Sequence, residues 1–108
     1  MKPLELEHRR DAKGRDVVAV QGEIDVATSP ALREELYALI DGGVTELVVD
    51  LSGLGFIDSS GLGVLVAALK HTRERGGELV LAGLQQPARR VFEITDLTAL
   101  FTIEDDAS

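Results

Sequence analysis

Cysteine is absent from this 108-residue chain, so neither a disulfide nor a thiolate metal site can be built. Long apolar runs are missing too: the longest are far too short to span a bilayer, and no signal-peptide pattern opens the sequence. The expected location is cytoplasmic. Aromatic residues make up only 4% of the chain, and 19 acidic residues against 11 basic ones give a formal charge of −8. A phosphate backbone repels such a surface, and nucleobases find few rings to stack on, so no direct nucleic-acid binding is expected. Excess acid suits a protein partner with a basic face, although it also serves solubility alone. What is present is enough for a core. Hydrophobic residues form 44% of the chain, which at this length predicts one compact globular domain.

The chain is organised around Gly53-Leu54-Gly55-Phe56-Ile57-Asp58-Ser59-Ser60-Gly61-Leu62-Gly63. Before it, Thr45–Leu51 is a β-branched run that reads as a buried strand. After it, the apolar run Val64–Leu69 continues into Lys70–Arg75 and stops at Gly76-Gly77, the pattern of a helix ended by glycine. The stretch therefore predicts a strand-to-helix turn that sets Asp58, Ser59 and Ser60 at a helix N-terminus. Three readings compete for it. Asp58 or Ser59 can simply cap the helix. A nucleotide-phosphate cradle is a poor match, because neither glycine pair completes G-x-G-x-x-G and no G-K-[ST] follows. A serine at this position can also carry a regulatory phosphate, which the helix dipole tolerates while the surface charge changes sharply.

The remaining pattern alternates. Leu4–His8 and Asp16–Gly22 flank the turn Asp11-Ala12-Lys13-Gly14 and predict a hairpin. Ser29 as N-cap and Pro30 at the first helical position start a helix, with Leu32, Leu36, Leu39 and Ile40 on one face and Gly42-Gly43 at its end. Glu78–Gly83 reads as a strand, and Gln86–Ile94 as a short helix with Pro87 near its start. Phe101–Ile103 follows as a last strand, and 104–108 as a frayed acidic tail. The order β-β-α-β-α-β-α-β predicts the α/β class: a mixed sheet with an N-terminal hairpin and helices packed against it, the Val- and Leu-rich strands central.

Catalysis is not expected. A serine nucleophile needs a base and an orienting acid. His71 lies about three turns beyond Ser59 on the same helix, His8 is in an edge strand, and both read as solvent-facing. The Ser59 context is not G-x-S-x-G. Asp25 and Asp58 each follow a strand and could share Mg²⁺ with hydroxyls, but no nearby lysine or arginine in sequence would hold a phosphate.

Gly22-Glu23-Ile24-Asp25 upstream of Phe56-Ile57-Asp58-Ser59-Ser60-Gly61-Leu62-Gly63 resembles the STAS domain, most closely the bacterial anti-sigma factor antagonists. The likeness runs from Leu4 to about Ile103, with Gly76-Gly77-Glu78-Leu79 and Val91–Leu97 included. It implies that Ser59, directly after the motif aspartate, is phosphorylated by a partner that is both anti-sigma factor and serine kinase. The unmodified form binds that partner and releases a sigma factor; a PP2C-type phosphatase resets the modified form. It also implies a partner-binding surface of Asp25, Asp58, Ser59, Ser60 and Gly61, with Ser60 structural rather than an acceptor. No cofactor is implied.

One departure stands out. Such domains commonly continue into a further C-terminal helix, whereas Glu104-Asp105-Asp106-Ala107-Ser108 has no apolar periodicity to form one. Either that helix is absent or the chain has been shortened, and an uncovered apolar groove would favour a weak homodimer. Two rival roles remain: a STAS scaffold in another signalling or transport complex, and a weak nucleotide-binding domain built on Asp25, Asp58 and Ser59.

Overall fold

The structure, a computed structural model, describes residues 4–106. The hairpin strands β1 (Glu5–Arg10) and β2 (Asp16–Ile24) lead to α1 (Ser29–Asp41) and β3 (Glu46–Ile57). Then come α2 (Ser59–Glu74), β4 (Glu78–Ala82), α3 (Ala88–Ile94), a 3-10 turn (Leu97–Ala99) and β5 (Thr102–Glu104). One five-stranded sheet has the order β1-β2-β3-β4-β5. Only β1 is antiparallel to its neighbour; β2, β3, β4 and β5 run parallel. The mixed α/β architecture expected of the pattern is what forms, with the Val-rich β3 at its centre.

The core lies between the sheet and its helices. Val18, Val20, Leu47, Val49, Leu51, Leu79 and Leu81 supply the sheet side. Leu32, Leu36 and Ile40 of α1 close over them, as do Leu65, Ala68 and Leu69 of α2 and Phe92 of α3. Phe92 meets Phe101 edge-on at 6.0 Å. The helical periods of the two long helices thus do what amphipathic spacing dictates.

The longest departure from expectation is β3, which does not end near Leu51 but runs to Ile57. Gly53 and Gly55 lie inside the strand, not in a turn. Against β2 the register slips by one residue twice, between Ala19 and Gln21 and between Gly22 and Glu23. Both extra residues are on β3, so the glycines sit at bulges. A Cβ on Gly53 would fall 2.7 Å from Gln21 Cγ and 3.2 Å from the Val20 carbonyl oxygen, which explains the glycine.

Other boundaries also move. The cap of α1 is Thr28, not Ser29, which is buried at the first helical position. α3 begins at Ala88, after a cis Gln86–Pro87 bond. His71 is not solvent-facing: it is half-buried between α1 and α2, stacked on Tyr37 at 4.6 Å and bonded to Asp41 at 2.7 Å. His8 is exposed and bonds Asp16 at 2.8 Å.

The second face of the sheet corrects one further expectation. Val17, Val48, Val80 and Ala82 on it are 0–4% exposed although no helix layer covers them. Glu104 does not fray, because it belongs to β5 and both its carboxylate oxygens accept from the Arg15 guanidinium, at 2.9 and 3.0 Å. Arg15 precedes β2, whereas β5 is the far edge, so this pair must lie across β3 and β4 and over the valines. Arg15 Nε also donates to Asp11 at 2.8 Å. Arg9 bonds Asp50 at 2.9 Å on the same face. Long charged side chains with apolar stems take the place of a helix layer. Ala107 and Ser108, the end of the expected tail, lie outside the described residues.

Candidate functional site

The ends of β2 and β3 lie side by side, with Ile24 opposite Ile57 and the Asp58 N–H donating to the Ile24 carbonyl at 3.2 Å. Asp25 and Asp58 therefore start two loops from adjacent positions on one end of the sheet. Asp58 is the N-cap of α2 in extended conformation, and its Oδ1 accepts from the N–H groups of Ser60 at 2.9 Å and Gly61 at 3.3 Å. The capping reading of the motif is thus true of Asp58, and a cap of this kind contributes about 1 kcal/mol. Ser59 is the first residue of α2 and exposed; Ser60 is half-buried. Neither serine hydroxyl has a hydrogen-bond partner among the described residues.

Asp25 has a structural task as well, the turn-forming one common to a loop aspartate. Its Oδ1 accepts from Ala27 N–H at 2.9 Å and Thr28 N–H at 3.0 Å, closing the turn into α1. The Thr28 hydroxyl accepts from Asp25 N–H and donates to the Glu23 carbonyl. The Thr28 and Ala27 bonds hold the Asp25 carboxyl below the usual carboxylate range. Aspartate and threonine three apart at a helix start were the available signal. The turn leaves a fixed negative charge near the end of β3.

Gly61 is buried because α2 has to dock its first turn on the strand ends. A Cβ there would meet Ile24 Cγ2 at 2.6 Å and Ile57 Cγ1 at 2.7 Å. Gly61→Ala is expected to cost about 2 kcal/mol by overpacking, read by urea unfolding. Gly63→Ala, at a position with open space, should instead be neutral or slightly stabilising. Equal effects of the two would refute this account of the dock. Gly61 thus sets how closely α2 approaches Ile24 and Ile57.

Two apolar side chains stand out beside the acids: Val26, 75% exposed, and Phe56, 46% exposed. Phe56 pairs in register with Glu23. A cavity of about 420 Å³ lies at the other end of β2 and β3, lined by Arg10, Lys13, Asp16, Gly43 and Glu46 among others. Among the described residues no cluster of three or more His, Asp or Glu could hold a metal ion, and no helix is long and apolar enough to cross a membrane. The Ser59 region is a surface with a charged, partly apolar rim.

The STAS domain family matches residues 5–108. This chain belongs to it. It is 43% identical to an anti-sigma-B factor antagonist of Listeria monocytogenes over 98 residues, 89% of this chain and 83% of the relative. It is 40% identical to the anti-sigma-B factor antagonist of Bacillus subtilis over 86 residues, 80% of this chain and 78% of that one. A solved anti-sigma factor antagonist from Mycobacterium paratuberculosis superposes with a TM-score of 0.79 at 32% identity, covering 94% of this chain and 85% of its own. The STAS fold places the D-S-S-G segment at the strand-to-helix junction just described.

Proposed function

We propose that this STAS protein is an anti-sigma factor antagonist: it binds an anti-sigma factor and so frees a sigma factor for transcription. Relatives named for that role, at 40–43% identity over at least four-fifths of the chain, support the reading. The finer proposal is that phosphorylation of Ser59 turns binding off. One observation carries it: of the two motif serines only Ser59 is exposed, its hydroxyl has no hydrogen-bond partner among the described residues, and Asp58 caps the turn it stands on. In the reaction the Ser59 hydroxyl oxygen attacks the γ-phosphorus of ATP. An O–P bond forms as the bond to ADP breaks, and the hydroxyl proton passes to a base on the partner kinase. A PP2C-type phosphatase would reverse the state by hydrolysis.

Asp25, Asp58 and Ser59, rimmed by Val26 and Phe56, form the proposed docking surface in the cytoplasm. Ser60 and Gly61 shape it from below. Exposed aromatics anchor interfaces at modest entropic cost. Phe56→Ala is therefore expected to weaken partner binding about tenfold, about 1.4 kcal/mol, while the urea midpoint stays in place. Unchanged affinity would remove Phe56 from the surface.

The role is tested by capture from native lysate with wild-type, Ser59→Ala and Ser59→Asp chains as bait. Wild type and Ser59→Ala should retain a kinase-like anti-sigma factor and Ser59→Asp should lose it, with phosphate mapping to Ser59 in the wild type. Equal retention by all three would favour a scaffold role in another complex. The nucleotide-binding alternative lacks a complete G-x-G-x-x-G or a G-K-[ST] to support it. A melting shift with ATP or GTP and Mg²⁺ would revive it.

A further inference from the structure

A phosphoryl group on Ser59 would stand at the N-terminus of α2, where unpaired N–H groups and the helix dipole ordinarily neutralise an anion. Here those donors are taken. The Ser60 and Gly61 N–H groups both point at Asp58 Oδ1, and the Leu62 N–H already makes the first helical bond to the Asp58 carbonyl at 3.0 Å. At most the N–H of the modified residue itself is left. We propose that Asp58 reserves the helix donors, so that phosphorylation of Ser59 adds a dianion that the fold does not neutralise.

The surroundings point the same way. Asp58 contributes its own carboxylate, and Asp25 and Glu23 stand at the neighbouring strand end. α2 has no charged residue between Ser59 and Lys70. α3, which packs on β3, carries Arg89, whose guanidinium donates to the Leu84 carbonyl at 3.3 Å, and the exposed Arg90 and Glu93. A phosphate folded onto the helix amides would be half-hidden from a partner. Left outside them among carboxylates, it presents its full charge. Asp58 is on this view a positioning residue for the switch as well as a cap, and the inference rests on the Ser59 reading above.

The test is phosphorus and amide NMR on chains with phosphoserine installed at position 59 during synthesis, compared with Asp58→Ala and Asp58→Asn. In the wild type the second phosphate ionisation should lie above the value of about 6 of an unperturbed phosphoserine, with little movement of the Ser60 and Gly61 amide protons. In Asp58→Ala the freed donors should accept the phosphate, lowering the ionisation below about 6 and moving both amide protons downfield. Asp58→Asn keeps an acceptor oxygen and loses the charge, so its ionisation should fall from the wild-type value with the amides still unmoved. That contrast decides the matter even if Asp58→Ala does not fold. A wild-type ionisation at or below about 6, or Ser60 and Gly61 amides that follow the phosphate titration, would overturn the proposal. None of these readouts needs an anti-sigma factor. If the phosphorylated chain bound that partner as tightly as the unmodified one, the switch would fail while the reserved cap stood.

Discussion

Arg15→Ala is expected to lower the unfolding free energy by about 3 kcal/mol, or roughly 15 °C in melting temperature for a domain of this size. Arg15 is 8% exposed and joins Asp11 to Glu104 across the helix-free face of the sheet. Truncation leaves two carboxylates without their cation and uncovers the Val17, Val48, Val80 patch. Arg15→Met separates the two losses, since it keeps the apolar stem and drops the charge; it should recover about half of the stability.

The sign of the pH dependence follows from the carboxylates. Arg15 hydrogen bonds hold the Glu104 carboxyl below the usual range. At Asp11 burial pushes the carboxyl up, but hydrogen bonds from Arg15 and Lys13 together outweigh it and the result is also a lowering. Groups with depressed folded values contribute stability above their unfolded values and lose it as pH falls through the folded ones. The penalty of Arg15→Ala should therefore be full at neutral pH and shrink below about pH 4. A loss under about 0.5 kcal/mol at neutral pH, the level of an ordinary surface pair, would contradict the strap.

Phosphorylation of Ser59 is expected to weaken anti-sigma factor binding about a hundredfold, about 2.7 kcal/mol. The phosphate brings a charge of about −1.5 to −2 to a surface that already holds Asp25 and Asp58. In a packed interface that charge has to be desolvated among like charges, and no fold change is needed for release. Ser59→Asp carries about half the charge and lacks the phosphate's bulk, so a loss nearer tenfold is expected. Because the opposition is electrostatic at a surface, raising salt from 0.05 to 0.5 M should recover part of the binding of Ser59→Asp. A loss indifferent to salt would assign the effect to shape alone.

The fold was legible where chain-local rules govern. Leu32, Leu36 and Ile40 announced α1, Gly76 ended α2, and Asp58 ahead of Ser60 and Gly61 marked a cap. The sequence also placed Asp25 and Asp58 together, because parallel strands must end on one side. The extent of β3 was not legible: glycine reads as turn punctuation, and only pairing with β2 shows that Gly53 and Gly55 occupy bulges. The Arg15–Glu104 pair joins residues far apart in the chain, so Glu104, read as the start of a frayed tail, is in fact the anchored last residue of an edge strand. Likewise His71 looked polar among Lys70 and Arg73, but its neighbours in space are Tyr37 and Asp41 of α1. The role of Asp25 was half visible: its charge could be read, while its bonds to Ala27 and Thr28 depend on how the turn closes.

The most direct test is the dissociation constant of the purified anti-sigma factor for the unmodified and the Ser59-phosphorylated chain, measured by calorimetry at physiological salt. The account predicts a rise of about a hundredfold on phosphorylation, reversed by phosphatase treatment, with the fold unchanged by circular dichroism. Equal affinities, with phosphate verified on Ser59, would contradict it.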